Sequence, residues 1–453
     1  MSVYAPQRIL VAPTGFKESL CAEDVADAIA SGVWRVLPTA CVDVFPIPDG
    51  GEGTARTLAK VTDGSLVPVQ VSGPTGETIA SHYARLGKAA SDTAVIEMAA
   101  AAGLSLVPRD RRDPCLTTTY GVGELIAAAL DDGAHRIIVG CGDSGTCDGG
   151  AGALQALGAR VVDDAGADIG PGGREVARAA SLDLRGLHPR LADVEIVLAC
   201  NPHNVLCGER GVARIFARQK GATEEGIEVL SGALENWATI LERDGHPVAD
   251  IRTGMGTGSS GGLGAGLAAG LGATLRSRFD LLLDSGLWGV DFDSRIAQAD
   301  LIITAEGSID FQTPNGKVPA EVARRAGRAG VPVIALAGSI GRGAMSVHDI
   351  GIDAIASIIA VPMPLADAVA NSQRLLIDAS EQIMRTILVG ASVAARQFEK
   401  RNPQQPVTAH SSPNVGKIDS TQPCTGALGP SIRPADGAAA YEIGVRHTPG
   451  SRI

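Results

Sequence analysis

Residues 299–310, "ADLIITAEGSID", carry the pattern that decides the fold. Leu301, Ile302 and Ile303 follow one another with no polar break. A strand with one wet face alternates apolar and polar residues, whereas a run like this suits a parallel strand covered on both faces. The same texture returns in "VPVIALAGSIG" (331–341) and "DAIASIIAVP" (353–362), the first of these separated from the opening run by the helical stretch "PAEVARRAGRAG" (319–330). It also opens the chain in "RILVAP" (8–13). There it leads into "TGFKESLCAEDVADAIASGVWRVLP" (14–38), whose apolar residues recur at helical spacing. Ser19 is expected to cap that helix, with Glu23 and Asp24 near its positive end. "CVDVFPIPDGGEGT" (41–54) then predicts a strand, a glycine loop and a helix from about Thr54.

The middle of the chain is different, with mixed strand and helix units joined by polar, glycine-rich junctions. Because the opening texture returns from about Ala299, the expected fold is α/β with a discontinuous domain. Residues 1–65 and 288–398 would form a doubly wound parallel-sheet domain, and residues 66–287 an inserted mixed α/β domain. From Glu399 the periodicity fails and Pro, Ser, Thr and Gly dominate, so 399–453 is expected to be a disordered tail. In open sheets of this kind ligands sit beyond the carboxyl ends of the strands, which places the first glycine loop at a cleft.

Bulk properties narrow the function. The 453 residues suffice for two or three buried cores, and a net charge of −11 disfavours nucleic-acid or anionic-membrane partners. The 57 glycines beside few aromatics suit backbone-lined loops rather than stacking platforms. Eight scattered cysteines without C-x-x-C or zinc spacing imply reduced thiols and a cytoplasmic protein. The N-terminal stretch carries no secretory signal pattern. The uncharged run "GSSGGLGAGLAAGLGATL" (258–275) is too rich in glycine and alanine to span a membrane.

Several strand-end loops could carry chemistry. "PDGGEGT" (48–54) offers Asp49 and Glu52 among Gly50, Gly51 and Gly53, suited to magnesium binding or to taking a hydroxyl proton; alone, it reads as a helix-capping turn with two solvated acids. "PTGFKESL" (13–20) puts Lys17 near a helix start, where anions are favoured. "GDSGTCDGG" (142–150) repeats the theme with Asp143, Ser144, Thr146, Asp148 and Gly149. "LTTTYGVGEL" (116–125) supplies Thr117, Thr118 and Thr119, and "ITAEGSIDFQTPNGK" (303–317) supplies Glu306, Asp310 and Lys317. No Walker A sequence is present. "GTGSSG" (256–261) matches G-x-G-x-x-G but lacks a preceding strand, so a nicotinamide-dependent dehydrogenase is an outside alternative.

Taken in order, "APTGFKESL", "PIPDGGEGT", "IEMAAAAGLSLVP", "DPCLTTTYGVGELI", "DSGTCDGGAGALQALG", "NVLCGERGVARIFARQKGAT", "GGLGAGLAA" and "ITAEGSIDFQTPNGK" resemble the bacterial glycerate kinases that form 2-phosphoglycerate, over roughly residues 8–395. The resemblance implies a flavodoxin-like domain interrupted by a second α/β domain. It also implies transfer of the ATP γ-phosphoryl group, with Mg2+, to a small hydroxy acid. Lys17, Asp49, Glu52 and Asp310 would be catalytic, with Asp49 and Glu52 holding magnesium. Gly50, Gly51, Gly53, Thr118, Ser144, Thr146, Asp148, Gly149, Glu306 and Lys317 would bind substrate or phosphate. A second copy of the chain is the one macromolecular partner left open.

The chain departs from that family at Asn201 and His203, where acids are usual, and at Asp143, Gly145 and Cys147. It departs again at Ala305 and Phe311, and at Ser308, where arginine is usual. These exchanges keep two alternatives open: a kinase of another small hydroxy acid, and a catalytically impaired ligand-binding paralogue. Phosphoryl transfer depends mainly on positioning and charge neutralisation, so charge changes of this kind bear on the acceptor rather than the fold.

Overall fold

A computed structural model describes residues 5–17, 19–287 and 291–401. The strands in chain order are β1 (Arg8–Val11), β2 (Cys41–Val44), β3 (Ser65–Ser72), β4 (Thr78–Arg85) and β5 (Thr93–Glu97). They continue with β6 (Arg136–Gly140), β7 (Arg160–Val162), β8 (Ser181–Asp183), β9 (Glu195–Cys200) and β10 (Thr274–Ser277). The last three are β11 (Leu301–Ile309), β12 (Val333–Ile340) and β13 (Ala354–Ser357).

The first sheet has five strands in the order β2-β1-β11-β12-β13, all parallel. Counted along this sheet alone that is 2-1-3-4-5, the flavodoxin-like order. The apolar runs are continuous because alternate residues serve opposite faces. Ile9, Val11 and Ile303 pack with Val25, Ile29 and Val33 of the helix Ala22–Val36 and with Leu376 of the helix Ser372–Arg401. Leu10 and Ile302 pack the other way, with Phe292, Val322 and Ala326 of the helices Phe292–Gln298 and Val318–Ala329. Each such side chain, fully buried, is worth about 1.5–3 kcal/mol, so a charge at Ile302 or Ile303 would break one layer or the other.

The second sheet has six strands in the order β10-β9-β6-β5-β4-β3, parallel from β5 to β10 and closed by the antiparallel hairpin β3–β4. β7 and β8 form a separate ribbon. The helix Thr54–Thr62 packs against β3, β4 and β5 rather than against the strand that precedes it. Its Leu58 belongs to one apolar cluster with Val95 and Ile138 of the second sheet and Leu10 and Ile302 of the first. The two halves therefore share a core beneath the cleft.

Some local expectations resolve differently. Ser19 does not cap the first helix, which starts at Ala22 with Cys21 as N-cap and no side-chain cap. Its Oγ instead bonds Ser372 Oγ (2.7 Å), tying the loop to the C-terminal helix. "GTGSSG" follows a turn, and Ser260, Gly261 and Gly262 at the start of the helix Ser259–Leu271 have φ of 53°, 72° and 94°. That is not the strand–turn–helix a dinucleotide fingerprint needs. No helix among the described residues is long and apolar enough to cross a membrane. The expected tail, from 402 onward, lies outside the described residues; 399–401 end the helix Ser372–Arg401.

Candidate active site

The helix after β1 packs on one face of the first sheet and the helix after β11 on the other. The connections that leave the carboxyl ends of β1 and β11 thus run to opposite faces, and a crevice forms at the switch point between them. Lys17 comes from the β1 side, and Glu306, Ser308 and Asp310 from the β11 side. The loop after β2 brings Asp49, and the loop after β6, in the second sheet, brings Asp143.

Two glycine loops meet here in direct backbone contact. A Cβ on Gly140 would lie 2.6 Å from the Gly50 carbonyl oxygen, and one on Gly51 would lie 2.2 Å from Asp143 Oδ2. A side chain at Gly140 would push the loops apart, whereas one at Gly51 would displace the Asp143 carboxylate; together with the φ of 82° at Gly50, this is the physical demand behind the glycine pair in "PDGGEGT". Asp49 folds its own loop, Oδ1 accepting from Gly51 N at 2.9 Å. Gly53, at φ 93°, then starts the helix Thr54–Thr62. Behind that start lies Glu97, whose Oε1 accepts from Ala55 N at 2.6 Å. Burial, opposed by these backbone bonds, raises the Glu97 carboxyl to about 7.

Asp143 stands at φ 52°, unusual for a residue with a side chain, and bridges the halves. It forms an ion pair with Lys17 Nζ and accepts from Glu52 N at 3.2 Å. Desolvation works against its charge, but Lys17, the Glu52 amide and Arg278 hold its carboxyl below the usual range. Crowding works against the Lys17 ammonium as well, and Asp143, Asp49 and Glu306 outweigh it and hold its pKa above the lysine range. Its side chain is still 69% accessible, so water tempers that pull.

Opposite, Lys317 Nζ lies 3.1 Å from Glu306 Oε1 and 3.7 Å from Asp310 Oδ1, and donates to the Ser308 carbonyl at 3.3 Å. Burial, followed by Lys317 and Lys17 pulling the other way, leaves the Glu306 carboxyl above its ordinary range, with Asp49 adding to the rise. Its Oε2 is buried with no hydrogen-bond partner. Ser308, one of the positions where the chain departs from the expected pattern, accepts a hydrogen bond from Ser339 Oγ at 3.0 Å. Asn201 and His203 lie on the far wall, Asn201 Nδ2 donating to the Asn315 carbonyl at 3.0 Å.

The expected residues therefore divide. Lys17, Asp49, the Gly50–Gly51 pair, Glu306, Asp310 and Lys317 line one crevice. Glu52 belongs to the same loop but turns outward, its carboxylate taken by Ser105 Oγ across the cleft. Magnesium bound by Asp49 and Glu52 together is thus not the arrangement seen; the acid whose charge bears on Glu306 is Asp49. Thr118, Asp148 and Gly149 lie apart from that crevice, engaged within the fold. Asp148 is 1% exposed and accepts from Thr119 N (2.7 Å), Thr119 Oγ1 (2.9 Å) and Gly150 N (3.1 Å), so its lone pairs serve the fold. Thr118 Oγ1 donates to the same carboxylate at 3.3 Å. The Gly149 carbonyl accepts from buried Trp237 at 3.0 Å. The second Asp-Gly-Gly is a core knot, whereas the first is a cleft loop.

Ser144 and Thr146 rest on a lysine that the sequence did not single out. Lys220, 3% exposed, donates to Ser144 Oγ at 2.8 Å and to the Thr146 carbonyl at 2.7 Å. Burial pushes its pKa down, countered by Cys147 and Asp148. Arg278 and Glu97 were also missed. Arg278 sits just past β10 and Glu97 at the end of β5, so the same strand-end rule could have flagged both. Among the described residues no group of three or more His, Cys, Asp or Glu is arranged to hold a metal ion.

Comparison with known proteins agrees with this geometry. A sequence profile described as the Glycerate kinase family matches residues 9–388. The chain is 43% identical over 391 residues to the "Glycerate kinase" of Bacillus subtilis (strain 168), covering 86% of this chain and 99% of that protein. It is 41% identical over 383 residues to the "Glycerate 2-kinase" of Escherichia coli (strain K12), covering 84% and 98%. A crystal structure described as a candidate glycerate kinase 2 from Salmonella typhimurium LT2 matches with a TM-score of 0.66 at 41% identity, over 85% of this chain and 99% of that one. With the match running through both sheets and every cleft loop, this chain is an enzyme that belongs to the glycerate kinase family.

Proposed function

We propose that the protein transfers the γ-phosphoryl group of ATP to the 2-hydroxyl of D-glycerate, giving 2-phosphoglycerate and ADP. The observation that carries this is the pairing of Lys17 and Lys317 on opposite sides of the switch point, each beside an acid, with Asp49 close by. Phosphoryl transfer asks for cations around the moving group and a carboxylate at the attacking hydroxyl. The hydroxyl oxygen bonds to the γ-phosphorus while the bridging oxygen to the β-phosphate departs with ADP, and Asp49 accepts the hydroxyl proton. Lys17 and Lys317 neutralise the phosphate and the substrate carboxylate, and Asp310 holds Lys317 in place.

The donor set fits magnesium in the form phosphoryl transfer uses. Mg2+ takes one or two carboxylates and completes its shell with phosphate oxygens and water. Glu306, whose Oε2 is buried without a partner, would hold it, leaving Asp49 to take the hydroxyl proton. When bound, the ion would offset charge on the phosphates. Cys115, Cys141, Cys147, Cys200 and Cys207 are buried thiols, which suits a reducing, cytoplasmic setting.

ADP release on mixing the protein with Mg-ATP and D-glycerate tests the reaction. The product feeds enolase directly if it is 2-phosphoglycerate and requires a mutase first if it is the 3-isomer. No ADP above the glycerate-free rate would refute the proposal. One observation favours a second acceptor: Asp143 already occupies Lys17, so part of the positive charge expected for a carboxylate is spent. A panel of small hydroxy acids in the same assay decides between the two.

A further inference from the structure

Arg278 is 8% exposed and lies at the start of the helix Arg278–Leu282, on the second-sheet side of the cleft. Its Nη1 donates to the Asp49 carbonyl at 2.9 Å and lies 3.8 Å from Asp49 Oδ2. Its Nη2 donates to the Gly316 carbonyl at 2.6 Å. The guanidinium stacks over the Phe279 ring at 4.9 Å, which fixes its plane. One rigid fork thus holds the backbone on both sides of the crevice, at Asp49 and at the residue before Lys317.

The Lys317 side of that grip is tightly defined. Asn201 holds the preceding carbonyl, of Asn315, so consecutive peptide groups are fixed from the opposite wall. Gly316 has φ +83°, and a Cβ there would lie 3.0 Å from Asn201 Oδ1 and 3.2 Å from His203 Cδ2. The turn has little room to shift without disturbing these contacts.

We infer that Arg278 is a positioning residue for phosphoryl transfer, setting the separation between Asp49 and Lys317, a role that rests on the assignment of those two residues above. A planar fork with two donor ends can bridge two carbonyls, whereas a lysine ammonium on a flexible stem cannot reproduce that geometry. Because Arg278 acts on backbone groups, its loss displaces both partners without removing either.

The test uses the full chain and steady-state kinetics with Mg-ATP and D-glycerate, on Arg278→Ala, Arg278→Lys, Asp49→Asn and Lys317→Met. In folded Arg278→Ala, kcat is expected to fall by about 100-fold, the cost of a misplacement near 1 Å, with both KM values within about threefold of wild type. Arg278→Lys should recover part of the loss, and added methylguanidinium should restore Arg278→Ala but not Asp49→Asn. Wild-type kcat in folded Arg278→Ala, a loss carried wholly by KM, or a failure of methylguanidinium to restore activity would overturn the role. Should Arg278→Ala not fold, Arg278→Lys decides: reduced kcat at unchanged KM supports the role, and wild-type kcat ends it. If Asp49→Asn and Lys317→Met keep wild-type kcat, the site assignment itself fails. If they lose it while Arg278→Ala does not, only the role of Arg278 fails.

Discussion

Lys17 and Asp143, carried by different sheets, form an ion pair across the mouth of the cleft. The pair has two consequences. It holds the halves together in the absence of substrate, and it neutralises a cation that an anionic substrate would otherwise meet. Asp143 sits at φ 52°, where a side chain is strained and glycine is not. Asp143→Gly should therefore lower KM for the acceptor by about three- to tenfold, an effect on the order of 1 kcal/mol. Stability should hardly change, since relief of strain offsets the lost ion pair. Initial-rate kinetics and thermal melts on the same preparation check both halves of the prediction.

Asp49→Asn keeps the Asx turn, because the amide oxygen can still accept from Gly51 N. It removes the group proposed to take the hydroxyl proton. The melting temperature should be unchanged and kcat should drop by about 100-fold or more, within the range for losing a general base. Near-normal turnover in this variant would remove Asp49 from the mechanism.

Asp148→Asn probes the opposite case. The buried carboxylate satisfies three donors on Thr119 and Gly150, and an amide nitrogen turned toward any of them leaves a buried donor unmet. A loss of about 1–3 kcal/mol in unfolding free energy is expected, with kcat retained at temperatures where the variant is folded. Denaturant melts paired with kinetics distinguish this knot from a substrate ligand; a selective loss of kcat without a stability change would return Asp148 to the site.

Glu97 makes stability depend on pH. Its folded pKa is about 7 against an ordinary 4.5, so between those values the folded state binds more protons than the unfolded chain. Stability should fall as pH rises from about 4.5 to about 7 and then level, a contribution on the order of 3 kcal/mol at most. Glu97→Gln, which can still accept from Ala55 N, should flatten that slope and be more stable than wild type at pH 8. Denaturant unfolding at pH 5 and pH 8 measures it, and an unchanged slope in the variant would show that Glu97 is not the group responsible.

The strands were legible because burial on both faces leaves an uninterrupted apolar run, as in Leu301–Ile303, and burial of that kind is a local property of the residues. The glycine loops were legible because Gly50 and Gly51 stand where a chain leaves a strand. Ser19 was misplaced because a serine near a helix start can cap it or reach elsewhere, and Ser372, 353 residues away, decided the matter. The two Asp-Gly-Gly runs looked alike for the same reason. Their dihedral demands are similar, but the surroundings that make one a cleft wall and the other a buried knot come from distant segments.

The sequence by itself determined the α/β alternation, the positions of the strand-end loops and the residue types on them, because hydrophobic period and turn chemistry act over a few neighbouring residues. Only the tertiary structure decided which charges meet: Lys17 with Asp143, Lys317 with Glu306, Glu52 with Ser105 rather than with Asp49. Those pairings depend on how two sheets pack over a shared core, and packing geometry is a property of the whole chain. Arg278 shows the division most clearly, since its two carbonyl partners lie 229 and 38 residues away and neither is marked by any local pattern.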